Sequence, residues 1–259
     1  MKSILSSLII AFAMYSKVPM PRVDWTKPNM RYVMAFFPLV GILVGGCVFG
    51  VLYVGNLCGV SPLLFAGIAT VVPILLTGGI HFDGYIDTVD AISSYQTRER
   101  KLEILKDPHV GAFGVIYGIV YILLFFVGVC GILTISEYTA EMIWAVSLGF
   151  ILSRCLSSFC GINFKSANSG SLSAFADASG KIVCNIAILA IATLTFWGLL
   201  DYANIFGIVV VAVQVVWMAI YKVKTDKIFG GVTGDTAGYF LQIAEVLSVL
   251  AVAGMGVIL

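Results

Sequence analysis

The sequence predicts an all-α protein: a polytopic transmembrane helical bundle of about seven spanning helices, with an interfacial helix at the N-terminus. Three observations carry that prediction. Of the 259 residues, 60% are hydrophobic and 11% are charged, and the mean hydropathy is +1.03, so lipid is the solvent for most of the chain. Seven stretches are apolar enough, at about 20 residues each, to cross about 30 Å of hydrocarbon as helices: roughly 32–54, 62–82, 112–134, 140–160, 182–200, 204–221 and 237–259. The segments between them alternate in charge. Fourteen of the fifteen Lys and Arg residues fall in 1–31, 83–111, 161–181 and 222–236, and none in 55–61, 135–139 or 201–203.

That alternation tests the span count and sets the orientation, because loops rich in Lys and Arg stay cytoplasmic. The N-terminus and the long polar loops are therefore expected on the cytoplasmic face of the cell (inner) membrane, with the C-terminus opposite. Residues 1–259 read as one membrane-embedded unit. Lys2, the apolar run from Ile4 and Ala11-Phe12-Ala13 imitate a secretory signal with its cleavage site. Lys17, Arg22, Lys27 and Arg31 follow at once, and exporting them would oppose the same charge rule. An interfacial helix ending near Pro19 and Pro21 fits better.

Several function classes are excluded or left without support. A net charge of +1 with no basic arm leaves nothing to clamp nucleic acid. The six cysteines form no CxxC pair and have no histidine at metal-ligand spacing, so they read as apolar packing residues. Gly41xxxGly45, Gly46xxxGly50 and Gly114xxxGly118 read as close helix contacts, and no nucleotide-binding loop is present.

The chemistry concentrates at the ends of spans. In Gly78-Gly-Ile-His-Phe-Asp-Gly-Tyr-Ile-Asp-Thr-Val-Asp90, a helical step of about 100° per residue places Asp83, Asp87 and Asp90 on one face, within an arc of about 60°. Like charges so arranged repel, and oxygen donors of this kind suit Mg²⁺ completed by water and phosphate oxygens. Gly84 leaves room for a phosphate to approach, and His81 is placed to orient one, although a histidine at a span end also serves as a plain interfacial residue. A second stripe, Arg98 to His109, steps Glu99, Glu103 and Asp107 by four, with Pro108 ending the helix. It reads either as an amphipathic surface helix or, through Glu103 and Lys106, as part of the same site.

Gly230-Gly-Val-Thr-Gly-Asp-Thr236 repeats the GGxxxD spacing of residues 78–83. Its glycines expose backbone N–H groups to anions, Thr233 lies among them, and Asp235 is a further metal ligand, a general base or a helix N-cap. Arg154 and Glu245 lie inside spans, where ionisable groups line a cavity or pair with each other. The polar loop Asn163 to Ser173, with Lys165 and Asn168, faces the same side and could close over a ligand.

These motifs, with Lys-Asp-Pro-His-Val-Gly111, Lys17-Val-Pro-Met-Pro21, Pro38-Leu-Val-Gly41 and Ser153-Arg154, resemble the cobalamin synthase family, the adenosylcobinamide-GDP ribazoletransferases. The likeness covers most of the chain. It implies Mg²⁺-dependent transfer of the cobinamide phosphate of adenosylcobinamide-GDP to α-ribazole or its 5′-phosphate, releasing GMP. On that reading Asp83, Asp87, Asp90 and Asp235 hold the metal, Asp235 or Glu103 accepts a proton, and His81, Gly84, Lys106, Arg154, Thr233 and Glu245 contact substrate. The bilayer is the other partner, and the apolar outer faces are open to lipid or to sibling subunits in a homo-oligomer. Where family members carry an Arg-Glu-Gly-Leu-Gly type loop after the fourth span, this chain has Lys165-Ser-Ala-Asn-Ser-Gly-Ser-Leu172. The rival readings are a divalent-cation or metabolite transporter, which usually places its polar groups near mid-membrane, and a CDP-alcohol-type phosphotransferase.

Overall fold

The structure is a computed structural model that describes residues 2–259 apart from 60, 136, 138, 168 and 169. Asn168 thus lies outside the described residues. Eleven helices follow in order: α1 Lys2–Tyr15, α2 Lys27–Met30, α3 Val33–Cys58, α4 Pro62–Thr77, α5 Ile80–Ser93, α6 Arg98–Ile104, α7 Ala112–Thr134, α8 Thr139–Asn163, α9 Ser171–Ala178, α10 Lys181–Ile228 and α11 Gly234–Ile258. Among the described residues there is no strand, only an isolated bridge between Ser166 and Val232.

Five helices (α3, α7, α8, α10 and α11) are long and apolar enough to cross a membrane. The protein is therefore a multi-pass membrane protein with an all-α bundle fold. α10 is two arms in one element, since Asn204 has non-helical backbone angles (φ 50°, ψ −128°) and Gly207 packs directly on the Leu199 carbonyl. Residues eight apart in a continuous helix would be about 12 Å apart, so the chain doubles back. Both arms follow α8: Asn163 Nδ2 donates to Asn185 Oδ1 at 3.0 Å and Tyr202 stacks on Trp144 at 4.9 Å on the first, while Gln214 Nε2 donates to the Gly149 carbonyl at 3.0 Å on the second.

The expected span 62–82 is present with a bend. It is broken between α4 and α5, which meet at 95°. The cause is local: Gly78 and Gly79 both take positive φ (65° and 79°), a conformation glycine adopts without a Cβ penalty and which ends helices. The Gly79 N–H closes α4 on the Ile74 carbonyl at 2.8 Å.

The core follows the periodicity of the spans. Val40, Val44, Val48 and Leu52 repeat every four residues on α3 and are fully buried, facing α8. Gly41 and Gly45 sit against the α8 backbone, a Cβ on Gly41 falling 2.7 Å from the Phe150 carbonyl oxygen. Gly114 meets Ile86 of α5 at 2.7 Å by the same measure. Gly46 and Gly50 differ from expectation, since nothing approaches within 4 Å of either; that face of α3 is turned outward. On α7, Ile116, Ile119, Leu123 and Val127 are exposed apolar residues that suit lipid.

The polar segments interlock at one end of the bundle. The Gly180 N–H donates to the Arg31 carbonyl at 3.2 Å, the Lys17 N–H to that of Leu76 at 2.7 Å, and the Val232 N–H to that of Lys165 at 2.8 Å. At the far end, Gly256 packs on Met142 and Ile135. The α6 stripe is shorter than expected: the helix ends at Ile104, leaving Asp107 beyond it in a turn where Asp107 Oδ1 accepts the His109 N–H at 3.0 Å.

Candidate active site

The two GGxxxD motifs meet in space. Gly78-Gly79 precedes α5 and Gly230-Gly231 precedes α11, and all four glycines have positive φ. The two helices then cross in near backbone contact. A Cβ on Gly84 would lie 2.9 Å from both Cα and O of Asp235, and one on Gly238 would lie 2.6 Å from the His81 carbonyl oxygen. Any side chain at these two positions would push the helices apart. Gly238, four residues after Gly234, is not among the residues the sequence reading singles out, although this spacing is the same small-xxx-small signal seen elsewhere in the chain.

That crossing sets the acidic residues in one neighbourhood, with Asp83 exposed and Asp87, Asp90 and Asp235 half-buried. The charges of Asp83, Asp235 and Asp90 all act on Asp87. None of the four forms an ion pair among the described residues. Asp90 also braces the backbone: its Oδ1 accepts the Gly114 N–H at 3.2 Å at the start of α7, and its carboxylate fills the space a side chain on Gly111 would occupy. Asp235 is not the N-cap of α11. Thr233 holds that position in a reciprocal capping box with Thr236, worth about 1 kcal/mol to the helix, so buried Thr233 is committed to the backbone.

Cations flank the glycine pairs. The Lys17 side chain lies over Gly78 and the Arg98 guanidinium over Gly230; neither is a site residue on the sequence reading. Local sequence carries no signal for such contacts, because each joins segments far apart in the chain. Gly231 (φ 153°) packs on the Lys165 carbonyl, tying the start of the 165–172 loop to the second motif.

Other expected residues are placed elsewhere. Glu103 and Lys106 are exposed, and Glu103 pairs with Arg100 at 2.7 Å on α6. Arg154 and Glu245 form an ion pair deep in the bundle, 1% and 2% exposed; Arg154 also donates to the Phe150 carbonyl at 3.2 Å and to Ser153 Oγ at 3.0 Å. They take the pairing option of the sequence reading, linking α8 to α11. His81 is buried between Tyr15 (ring centroids 5.7 Å apart) and Phe37 (5.5 Å).

The donor set suits a hard divalent cation, since carboxylate oxygens with no internal countercharge gain from one. As they stand, no three His, Cys, Asp or Glu side chains among the described residues form a closed cage. A cation here would therefore be held by at most one or two carboxylates, its other positions going to water and substrate phosphates.

The site end of this multi-pass bundle is thus built from glycine-turned acidic helices. Comparison with known proteins specifies it further. The cobalamin-5-phosphate synthase family profile matches residues 7–253. An adenosylcobinamide-GDP ribazoletransferase of Lachnoclostridium phytofermentans is 43% identical over 249 residues, covering 96% of this chain and 93% of its own. Relatives of the same name from Clostridium botulinum (strain Alaska E43) and Desulfitobacterium hafniense are each 31% identical, covering 97% and 94% of this chain and 98% and 94% of their own. No solved structure matches. The chain belongs to the cobalamin-5-phosphate synthase family and is an enzyme of the transferase class.

Proposed function

We propose that this enzyme transfers the cobinamide phosphate group of adenosylcobinamide-GDP to a hydroxyl of α-ribazole or its 5′-phosphate, giving adenosylcobalamin or its 5′-phosphate and GMP. The site end of the bundle faces the cytoplasm at the inner membrane, as the basic loops favour. Family membership supports the substrates, and one structural observation supports the site: the approach of α5 to α11 at Gly84 and Asp235, which brings the two motifs together.

One or two of Asp83, Asp87, Asp90 and Asp235 would hold Mg²⁺, Asp90 through the oxygen not engaged by Gly114, leaving Asp235 free to act as a base where it is not a ligand. When bound, the ion supplies charge neutralisation to the diphosphate and the departing GMP. The chain does the rest. Lys17 and Arg98, beside the positive-φ glycines, bind non-bridging phosphate oxygens as cations on a backbone cradle. The acceptor hydroxyl oxygen bonds to the cobinamide phosphorus as the P–O bond to GMP breaks, and a carboxylate of the crossing, Asp235 in this reading, accepts the hydroxyl proton.

The test is turnover by purified protein in detergent with adenosylcobinamide-GDP, α-ribazole and Mg²⁺, following GMP and corrinoid product by mass. Metal-dependent GMP release matched mole for mole by cobalamin is expected, with loss on chelation and recovery on adding Mg²⁺ back. Unchanged turnover in chelator would remove the metal from the reading. Cation uptake into proteoliposomes without conversion would replace it with transport.

A further inference from the structure

Beside the acidic crossing lies a small cleft of about 120 Å³, widening to about 610 Å³ when the open space at its mouth is counted. Its two halves differ in chemistry. The mouth carries Asp83, Gly234 and Asp235. Inside it, Met14, Met34, Leu172 and Leu241 stand around an aromatic wall of Tyr15, Phe37 and His81, with Ser157 as a buried hydroxyl among them. Small residues of α11, Ala237 and Gly238, leave the opposite side flat. Every one of α1, α3, α5, α8, α9 and α11 contributes to it, α9 through Leu172.

We infer that this cleft is the acceptor subsite: it takes the flat aromatic base of a nucleoside with a mostly apolar edge and holds a sugar hydroxyl at the Asp83–Asp235 mouth. The inference rests on the proposed transfer reaction and deepens it. Rings slot against rings and thioethers at low cost, whereas a corrin macrocycle is too large for the space. The two aromatic bases in the reaction are the benzimidazole of the acceptor and the guanine of the donor. Guanine has polar groups along most of its edge, and the polar side chains inside the mouth are limited to Ser157, Tyr15 and His81, too few to pair them all, which disfavours binding. Benzimidazole has one free ring nitrogen. His81, 5% exposed, has Nε2 without a hydrogen-bond partner among the described residues, and one imidazole nitrogen matches that single need.

The experiment uses the full chain in detergent and reads both substrates. Leu241, buried to 1% exposure at the cleft wall, is enlarged in Leu241→Phe and trimmed in Leu241→Ala. The first is expected to raise KM for α-ribazole about tenfold or more while KM for the donor stays within about twofold; the second is expected to improve use of a bulkier naphthimidazole riboside relative to α-ribazole. His81→Phe keeps the ring and removes the nitrogen, and is expected to raise acceptor KM about tenfold, the scale of one hydrogen bond. Equilibrium dialysis of α-ribazole without donor gives a readout independent of turnover, with GMP as competitor. If donor KM moves instead, or GMP displaces α-ribazole from the cleft, the cleft belongs to the donor nucleotide and the inference falls. If neither KM nor base preference responds in either folded Leu241 variant, it falls as well. Wild-type protein that binds α-ribazole in the cleft but never turns over would overturn the transfer reaction and leave the subsite standing.

Discussion

In the middle of the bundle, the Glu245 carboxylate is met by Arg154 and by Ser153 Oγ at 3.4 Å. At the polar end, Asp83, Asp87, Asp90 and Asp235 share one neighbourhood with no ion-pair partner among the described residues. The difference separates two uses of charge in a membrane protein. A buried charge with an internal partner serves to join helices, although Arg154 Nε and Glu245 Oε2 have no hydrogen-bond partner among the described residues. Carboxylates brought together without a countercharge repel one another, and either protonation or a bound cation relieves that repulsion.

The comparison breaks most sharply at the acidic end. Asp83→Asn or Asp235→Asn removes a donor where the reaction's charge develops and should lower GMP release by about 10³-fold or more, several kcal/mol of barrier, with little change in thermal unfolding. Wild-type turnover in either variant would mean that the carboxylates are only solvated helix ends. Gly84→Val tests the crossing itself, because its Cβ would overlap the Asp235 backbone. Activity should fall about 10²-fold while the acids remain present, so a normal rate would detach the crossing from catalysis.

The core pair should behave in the opposite sense. Arg154→Met alone leaves Glu245 charged and unpaired and should cost about 3–5 kcal/mol, whereas Arg154→Met with Glu245→Leu should return close to wild-type stability. Thermal unfolding in detergent, read together with turnover, decides the matter. If the stable double variant is inactive, the pair has a direct part in the reaction and the contrast between the two regions fails.

How much of this was legible in the sequence follows the range of the interactions. The spans and the face shared by Asp83, Asp87 and Asp90 depend on neighbours within a few residues, and periodicity reports such neighbours. Gly78-Gly79 was visible as part of the repeated GGxxxD spacing, yet its positive φ and the 95° bend depend on what lies on either side of the turn. The return of α10 at Asn204 matches the expected break between 200 and 204, because polar Asp201 and Asn204 interrupt the apolar run there. Lys17 on Gly78, Arg98 on Gly230 and the cleft shared by Met14, Phe37 and Leu172 join residues whose separation in sequence leaves no periodic trace.

The smallest expected effect tests the remaining assignment of a base. On sequence alone, Asp235 and Glu103 are alternatives. Glu103 is 63% exposed in its side chain and sits in an i,i+3 pair with Arg100, an arrangement that in water contributes about 0–1 kcal/mol. Asp235 lies at the backbone crossing and on the mouth of the cleft. Glu103→Gln should therefore leave turnover within about twofold and unfolding within about 0.5 kcal/mol, an effect near the limit of measurement. A large fall in kcat with KM for both substrates unchanged would show that α6 swings over the site during turnover. Proton transfer would then belong to the mobile, exposed stripe rather than to the rigid crossing of α5 and α11.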